Sequence, residues 1–131
     1  MNVVLYSDGV GNLESSRLQE ALKPVVAKQS LEIFSKFEDF LNRVRRLPRD
    51  IDVAVLMVKD DKGLTALLSL SDYLDATRII LMLQDRDPGM TSKAHLLHPR
   101  FLAYSDDDFS DIAAVLSKML RNKNPFRSVR N

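Results

Sequence analysis

The sequence predicts an α/β fold in which one parallel sheet of five strands carries helices on both faces. Five short apolar segments are spread along the chain, and amphipathic helical patterns lie between them. Three of the five segments are apolar at nearly every position, as in strands that are covered on both faces. Strands that alternate with helices form parallel sheets with right-handed crossovers. The chain has 131 residues, enough for one domain with a substantial core.

The apolar segments define the predicted strands, which are residues 3–6, 31–34, 51–58, 79–83 and 101–104. The second and fifth segments are less continuous in apolar residues, which is typical of strands nearer a sheet edge. Five strands in one small domain favour the order 2-1-3-4-5. The prediction is therefore a single flavodoxin-like, three-layer α/β/α sandwich.

Five helices are predicted from polar caps, prolines and apolar spacing. The third follows leucines from Leu64 to Leu74, and the fifth carries the clearest apolar stripe, from Phe109 to Leu120. The other markers are the caps Asn12, Asp87 and Asp108 and the helix-ending prolines Pro24, Pro48 and Pro99.

Composition excludes several classes of function. The chain has no cysteine, which excludes disulfides and thiolate chemistry, and its formal net charge of +1 gives no general attraction to nucleic acid. The N-terminal residues lack the features of a signal peptide or membrane span, so a cytoplasmic protein or a module of a longer one is expected. Residues 1–122 are the predicted domain, and the basic residues 123–131 a tail or the start of a linker.

Polar residues follow four of the predicted strands, in the segments "YSDG", "MVKDDKG", "LQDRD" and "YSDDD". In this topology, ligands bind outside the carboxyl ends of the strands. Any functional site is therefore expected among these four segments.

In length, element order and strand-end chemistry, residues 1–122 resemble the receiver domains of bacterial response regulators, the CheY-like family. The resemblance implies an acidic pair after the first strand and a phosphoacceptor aspartate at the end of the third. It also implies Thr or Ser after the fourth strand and Lys, usually followed by Pro, after the fifth. Mg²⁺ needs oxygen ligands, and a transferring phosphoryl group needs positive charge on its oxygens.

This sequence departs from that pattern at almost every position. Only Asp8 of the acidic pair is present, and Met57 occupies the phosphoacceptor position. A thioether neither accepts a phosphoryl group nor binds Mg²⁺ well. The remaining family positions fall on Gln84 for the Thr or Ser, Tyr104 or Ser105 for the Lys, and Phe101 for the aromatic switch residue.

The sequence therefore predicts a pseudo-receiver that keeps the scaffold and has lost the phosphotransfer site. Such a domain is not an enzyme, requires no cofactor, and signals by binding a protein in a two-component-type system. The resemblance implies a partner, or a second copy, on the face formed by helix 4, strand 5 and helix 5. Neither nucleic acid nor a membrane is an expected partner.

Two other functions stay open. The first is an atypical receiver with Mg²⁺ on Asp8 and Asp60 and the phosphoryl group on Asp60, which lies about 10 Å beyond Met57 along an extended chain. The second is a flavodoxin-like protein that binds phosphate or a small ligand at residues 9–12. The simpler interpretation of the acidic group is helix capping and loop solubility, for Asp8, Asp60, Asp61 and Asp85.

Two further motifs receive ordinary structural interpretations. His95 and His98 are expected to be surface residues near a helix C-terminus rather than metal ligands. The basic run of Arg43, Arg45, Arg46 and Arg49 is expected to be the solvated face of the second helix and its end, and the alternative is a surface for an anionic partner.

Overall fold

A computed structural model of this protein describes residues 2–8, 12–27, 30–84 and 86–121. Five strands form one sheet in the order 2-1-3-4-5, and every neighbouring pair is parallel. This confirms the predicted fold class and sheet order. The strands are β1 (Asn2–Asp8), β2 (Ser30–Phe34), β3 (Val53–Val58), β4 (Arg78–Leu83) and β5 (Phe101–Tyr104).

In the described part of the chain, five α-helices connect and follow the strands. They are α1 (Asn12–Leu22), α2 (Phe37–Arg45), α3 (Asp61–Leu68), α4 (Pro88–Ala94) and α5 (Phe109–Arg121). Short 3₁₀ turns at Pro48–Asp50 and His95–Leu97 lead into β3 and β5. Within the described ranges, no helix has the length and apolar character that crossing a membrane requires.

The sheet separates two apolar clusters, one on each face. Alternate side chains of the central strands point to opposite faces, and β3 and β4 are buried at every position. One cluster joins the sheet to α1 and α5 through Leu18, Ile112 and Leu116. The other joins it to α2, α3 and α4, and its members from these helices include Phe40, Val44, Leu64, Leu67, Met90 and Ala94. The result is the three-layer sandwich.

Several predicted boundaries were wrong by a few residues, and one of them is the end of β1, which lies at Asp8 rather than Tyr6. β3 begins at Val53 rather than Ile51, because the Ile51 N–H closes the preceding 3₁₀ turn on the Pro48 carbonyl (3.3 Å). α2 ends at Arg45, two residues before Leu47, whose backbone is left-handed. α3 ends at Leu68, and Leu74 is buried from the turns that follow it. The leucine spacing indicates which residues are buried and does not indicate where the helix ends.

Aspartate side chains cap three helices. Asp60 accepts a hydrogen bond from Gly63 N (2.8 Å) at α3, and Asp87 accepts one from Met90 N (3.0 Å) at α4. Asp108 accepts from Ser110 N (2.9 Å) at α5, and this hydrogen bond lowers the pKa of its carboxyl. The predicted caps Asp87 and Asp108 are confirmed.

The solvated-face interpretation of the basic run was wrong for Arg43. Its side chain is 6% exposed, and Nε donates to both carboxylate oxygens of Glu32 on β2 (3.0 and 2.9 Å). Nη1 donates to the Arg46 carbonyl (3.0 Å), and Nη2 pairs with Asp50 (3.4 Å). Arg43 therefore joins β2, the end of α2 and the next turn.

The two histidines are exposed at the end of α4, as predicted. His95 follows the last residue of α4, and His98 has a left-handed backbone with φ of 54°. The tail at residues 123–131 and the boundary at 122 lie outside the described residues.

Candidate functional site

At the level of the sheet where the resemblance places the phosphoacceptor, three of the four side chains are apolar. Strand register places Ser7, Met57, Met82 and Ala103 beside one another on β1, β3, β4 and β5. Met57 is 2% exposed and belongs to the cluster under α1 and α5. Its thioether is thus a buried packing group.

The next level towards the carboxyl edge contains Asp8, Val58, Leu83 and Tyr104. The backbone of Asp8 ends β1 in register with Val58, and its side chain lies outside the described atoms. Beyond this level, the Ser105 hydroxyl donates to the Gln84 carbonyl oxygen (2.9 Å). The structure therefore brings Gln84 and Ser105 together through a hydrogen bond from a side chain to a backbone carbonyl, at a position where the resemblance implies a lysine.

Asp60 lies past the end of β3, exposed, in the loop before α3. Its Oδ1 is engaged by Gly63 N at 2.8 Å. The neighbouring Asp61 pairs with Lys93 Nζ of α4 (2.9 Å), and the same ammonium contacts the Thr65 hydroxyl. These carboxylates serve helix capping and α3–α4 contact. Asp85, the last member of the predicted acidic group, lies outside the described residues, as do residues 9–11 of the predicted ligand loop.

A cation does reach the end of β5, at a place that the sequence analysis missed. Arg86 Nη2 pairs with Asp106 (3.2 Å) and Asp107 (2.9 Å), and its guanidinium carbon lies 4.1 Å from the centroid of the Tyr104 ring. Desolvation lowers the pKa of Arg86, but the charges and hydrogen bonds of the two aspartates outweigh it and raise the pKa. The guanidinium charge of Arg86 therefore partly compensates the carboxylate charges of Asp106 and Asp107.

Tyr104 is the aromatic residue that joins β5 to α4. Its hydroxyl shares a hydrogen bond with the Thr91 hydroxyl (3.1 Å). Phe101, the predicted switch aromatic, instead packs against the cluster under α1 and α5. The sequence signal for Arg86 was a basic residue in the loop between β4 and α4, within the segment "LQDRD".

The described side chains at this edge include only part of the predicted Mg²⁺ site, because the Asp8 side chain lies outside the described atoms. Met57 offers a thioether, whereas Mg²⁺ prefers carboxylate oxygens in octahedral geometry. Over the part of the chain that the structure describes, no group of three His, Cys, Asp or Glu side chains is placed to hold a metal ion. Asp60 presents its carboxylate to a helix terminus.

The sheet order, the five helices and the position of the carboxyl edge define the fold of response-regulator receiver domains. No protein-family model matches the sequence, and no curated protein matches it.

Solved receiver domains are similar to the chain over nearly its full length. One is the signal receiver domain of an HD domain-containing protein from Pseudomonas fluorescens (18% identity, 95% of this chain and 97% of that chain, TM-score 0.75). Another is a CheY-like receiver domain protein from Methanospirillum hungatei (8% identity, 95% and 96%, TM-score 0.71). A third is the signal receiver domain of a DNA binding response regulator from Colwellia psychrerythraea (11% identity, 92% and 98%, TM-score 0.72). At identities this low, the structural similarity establishes the fold alone, and function has to be argued from the site.

Proposed function

We propose that this protein is a pseudo-receiver, which signals by binding another protein and transfers no phosphoryl group. The observation that supports the proposal is the burial of Met57, the residue that the resemblance places at the phosphoacceptor position. A phosphoryl group at this edge would also need a cation. At the end of β5, Tyr104 and Ser105 supply none, and Arg86 is already paired with Asp106 and Asp107.

We expect no phosphorylation when the protein is incubated with Mg²⁺ and acetyl phosphate. Intact-mass spectrometry measures the result, with a solved receiver domain as positive control. The matched variant is Asp60→Asn, which keeps the helix cap because asparagine caps as well as aspartate. A gain of one phosphoryl group by the wild type that Asp60→Asn abolishes would establish the atypical receiver instead.

The partner surface in this proposal is the face of α4, β5 and α5. Leu96 is 61% exposed beside α4, whereas the neighbouring Leu97 is buried at 5%. On α5, Asp111 and Lys118 are both exposed and lie two turns apart. Opposite charges on one helix face suit a two-fold contact, in which each copy offers both signs.

We expect concentration-dependent dimerisation that Leu96→Glu weakens, because the substitution places a charge at the centre of the contact. Sedimentation velocity over a concentration series measures it. Ile33→Glu is the matched control, since Ile33 is 47% exposed on β2, at the opposite edge of the sheet. Equal dimerisation by the wild type and Leu96→Glu would contradict this choice of surface.

A further inference from the structure

Leu47 combines two features that do not favour folding. Its side chain is 66% exposed, and its backbone is left-handed, with φ of 58° and ψ of 59°. For a residue with a bulky side chain this conformation costs about 1–2 kcal/mol. His98 is also left-handed, but histidine is several-fold enriched there, whereas a leucine is an outlier. A strained, exposed leucine where glycine would fold more easily indicates a role outside folding.

Hydrogen bonds from neighbouring residues hold the backbone of the turn that carries Leu47. The buried Arg43 donates to the Arg46 carbonyl (3.0 Å) on one side of Leu47. On the other side, Asn2 Nδ2 donates to the Asp50 carbonyl (2.8 Å), and Asp50 N donates to the Leu47 carbonyl (3.0 Å). These contacts hold the backbone of the turn in the left-handed conformation. A fixed contact residue loses little conformational freedom when a partner binds.

The surroundings of Leu47 are basic. Arg45, Arg46 and Arg49 are exposed, and none of their side chains forms an ion pair with a residue that the structure describes. Asp50, at the end of the turn, is already paired with Arg43. A shallow groove of about 530 Å³ runs along the turn and is lined by Leu47, Pro48, Arg49 and Asp50.

We propose that residues 45–49 form a docking surface for an acidic segment of a partner protein. The groove at Leu47 and Pro48 receives an apolar side chain of that segment, and the three arginines contact its carboxylates. A protein segment suits the site better than an anionic membrane, because a membrane contact requires several apolar side chains on one face. The surface lies at the β2 end of the sheet, away from β5, and goes beyond the proposed function above.

The test uses short fluorescein-labelled peptides in which one leucine or phenylalanine is flanked by glutamates at varied spacing. A matched set carries lysines in place of the glutamates. We expect fluorescence anisotropy to show binding of the acidic set, weakened by added salt, and no binding of the lysine set. Vesicles with and without anionic lipid are titrated in parallel.

Variants separate a docking role from a structural one. We expect Leu47→Gly and Arg49→Glu each to weaken binding about tenfold or more. Leu47→Gly is also expected to keep or raise the melting temperature, because glycine adopts a positive φ without strain. Lys62→Glu, at an exposed position on α3, is expected to bind like the wild type.

Three outcomes would overturn the proposal. They are the absence of binding to every acidic peptide, unchanged binding by Leu47→Gly and Arg49→Glu, and binding to anionic vesicles in place of the peptides. None of them bears on the phosphodonor or sedimentation experiments, so the proposed function stands or falls separately.

Discussion

Met57→Asp is expected to destabilise the domain strongly and to leave it without phosphoacceptor activity. Met57 is 2% exposed, with Ser7 and Met82 beside it in register. Loss of the methionine packing costs about 2–5 kcal/mol, and an introduced carboxylate without a partner adds a desolvation cost. Urea unfolding measures the free energy, and intact mass after treatment with Mg²⁺ and acetyl phosphate measures phosphorylation.

The destabilisation by Met57→Asp is expected to depend on pH. Burial raises the pKa of the introduced carboxyl above its unfolded value of about 3.9. Between these two pKa values the folded state binds more protons than the unfolded state, so stability falls as pH rises. The loss should therefore be smallest below about pH 4 and larger at neutral pH.

Met57→Leu is the control for this substitution, and its cost is expected to stay below about 1.5 kcal/mol. A Met57→Asp variant that is as stable as the wild type and gains a phosphoryl group would contradict the pseudo-receiver proposal. It would mean that the rest of a receiver site is intact around Met57.

Arg43→Ala is expected to lower the free energy of unfolding by about 2–4 kcal/mol. Loss of one partner of a buried ion pair costs about 3–5 kcal/mol. The expected cost is smaller here because the Glu32 and Asp50 side chains are 34% and 52% exposed and keep part of their hydration. The same change removes the hydrogen bond to the Arg46 carbonyl, so faster amide exchange is expected around Leu47.

The matched control is Arg45→Ala, two residues away on the same helix. Arg45 is exposed, so its replacement should change stability by no more than about 0.5 kcal/mol. Similar losses for Arg43→Ala and Arg45→Ala would show that the Arg43 network does not stabilise the fold. Urea unfolding of the two variants under one set of conditions decides between these outcomes.

The fold was predictable because its signals are local. β3 and β4 were each recognisable from a continuous apolar segment within six residues. The start of α4 was recognisable from two residues, Asp87 and Pro88. The errors in element boundaries occurred where one local pattern is compatible with more than one structure. Leu74 continues the leucine spacing of α3, yet it is buried from a turn outside that helix.

The candidate site divides in the same way. Met57 and either Tyr104 or Ser105 could be given receiver positions from strand ends and chain order alone, and these assignments stay predictions. The partners of Asp60 and Tyr104 could not, although both lie at the predicted edge. Asp60 caps α3, and Tyr104 contacts Thr91 and Arg86, and these contacts depend on how loops fold back over the sheet.

By itself, the sequence determined the order of strands and helices and the chemical types of the side chains at the strand ends. The tertiary structure decided which of those side chains meet, including the pairing of Arg86 with Asp107 across 21 residues and of Arg43 with Glu32 across 11. It also decided the left-handed conformation of Leu47, which its own side chain disfavours. The physical reason is that apolar periodicity acts over neighbouring residues, whereas charge pairing and backbone strain depend on segments brought together only by folding.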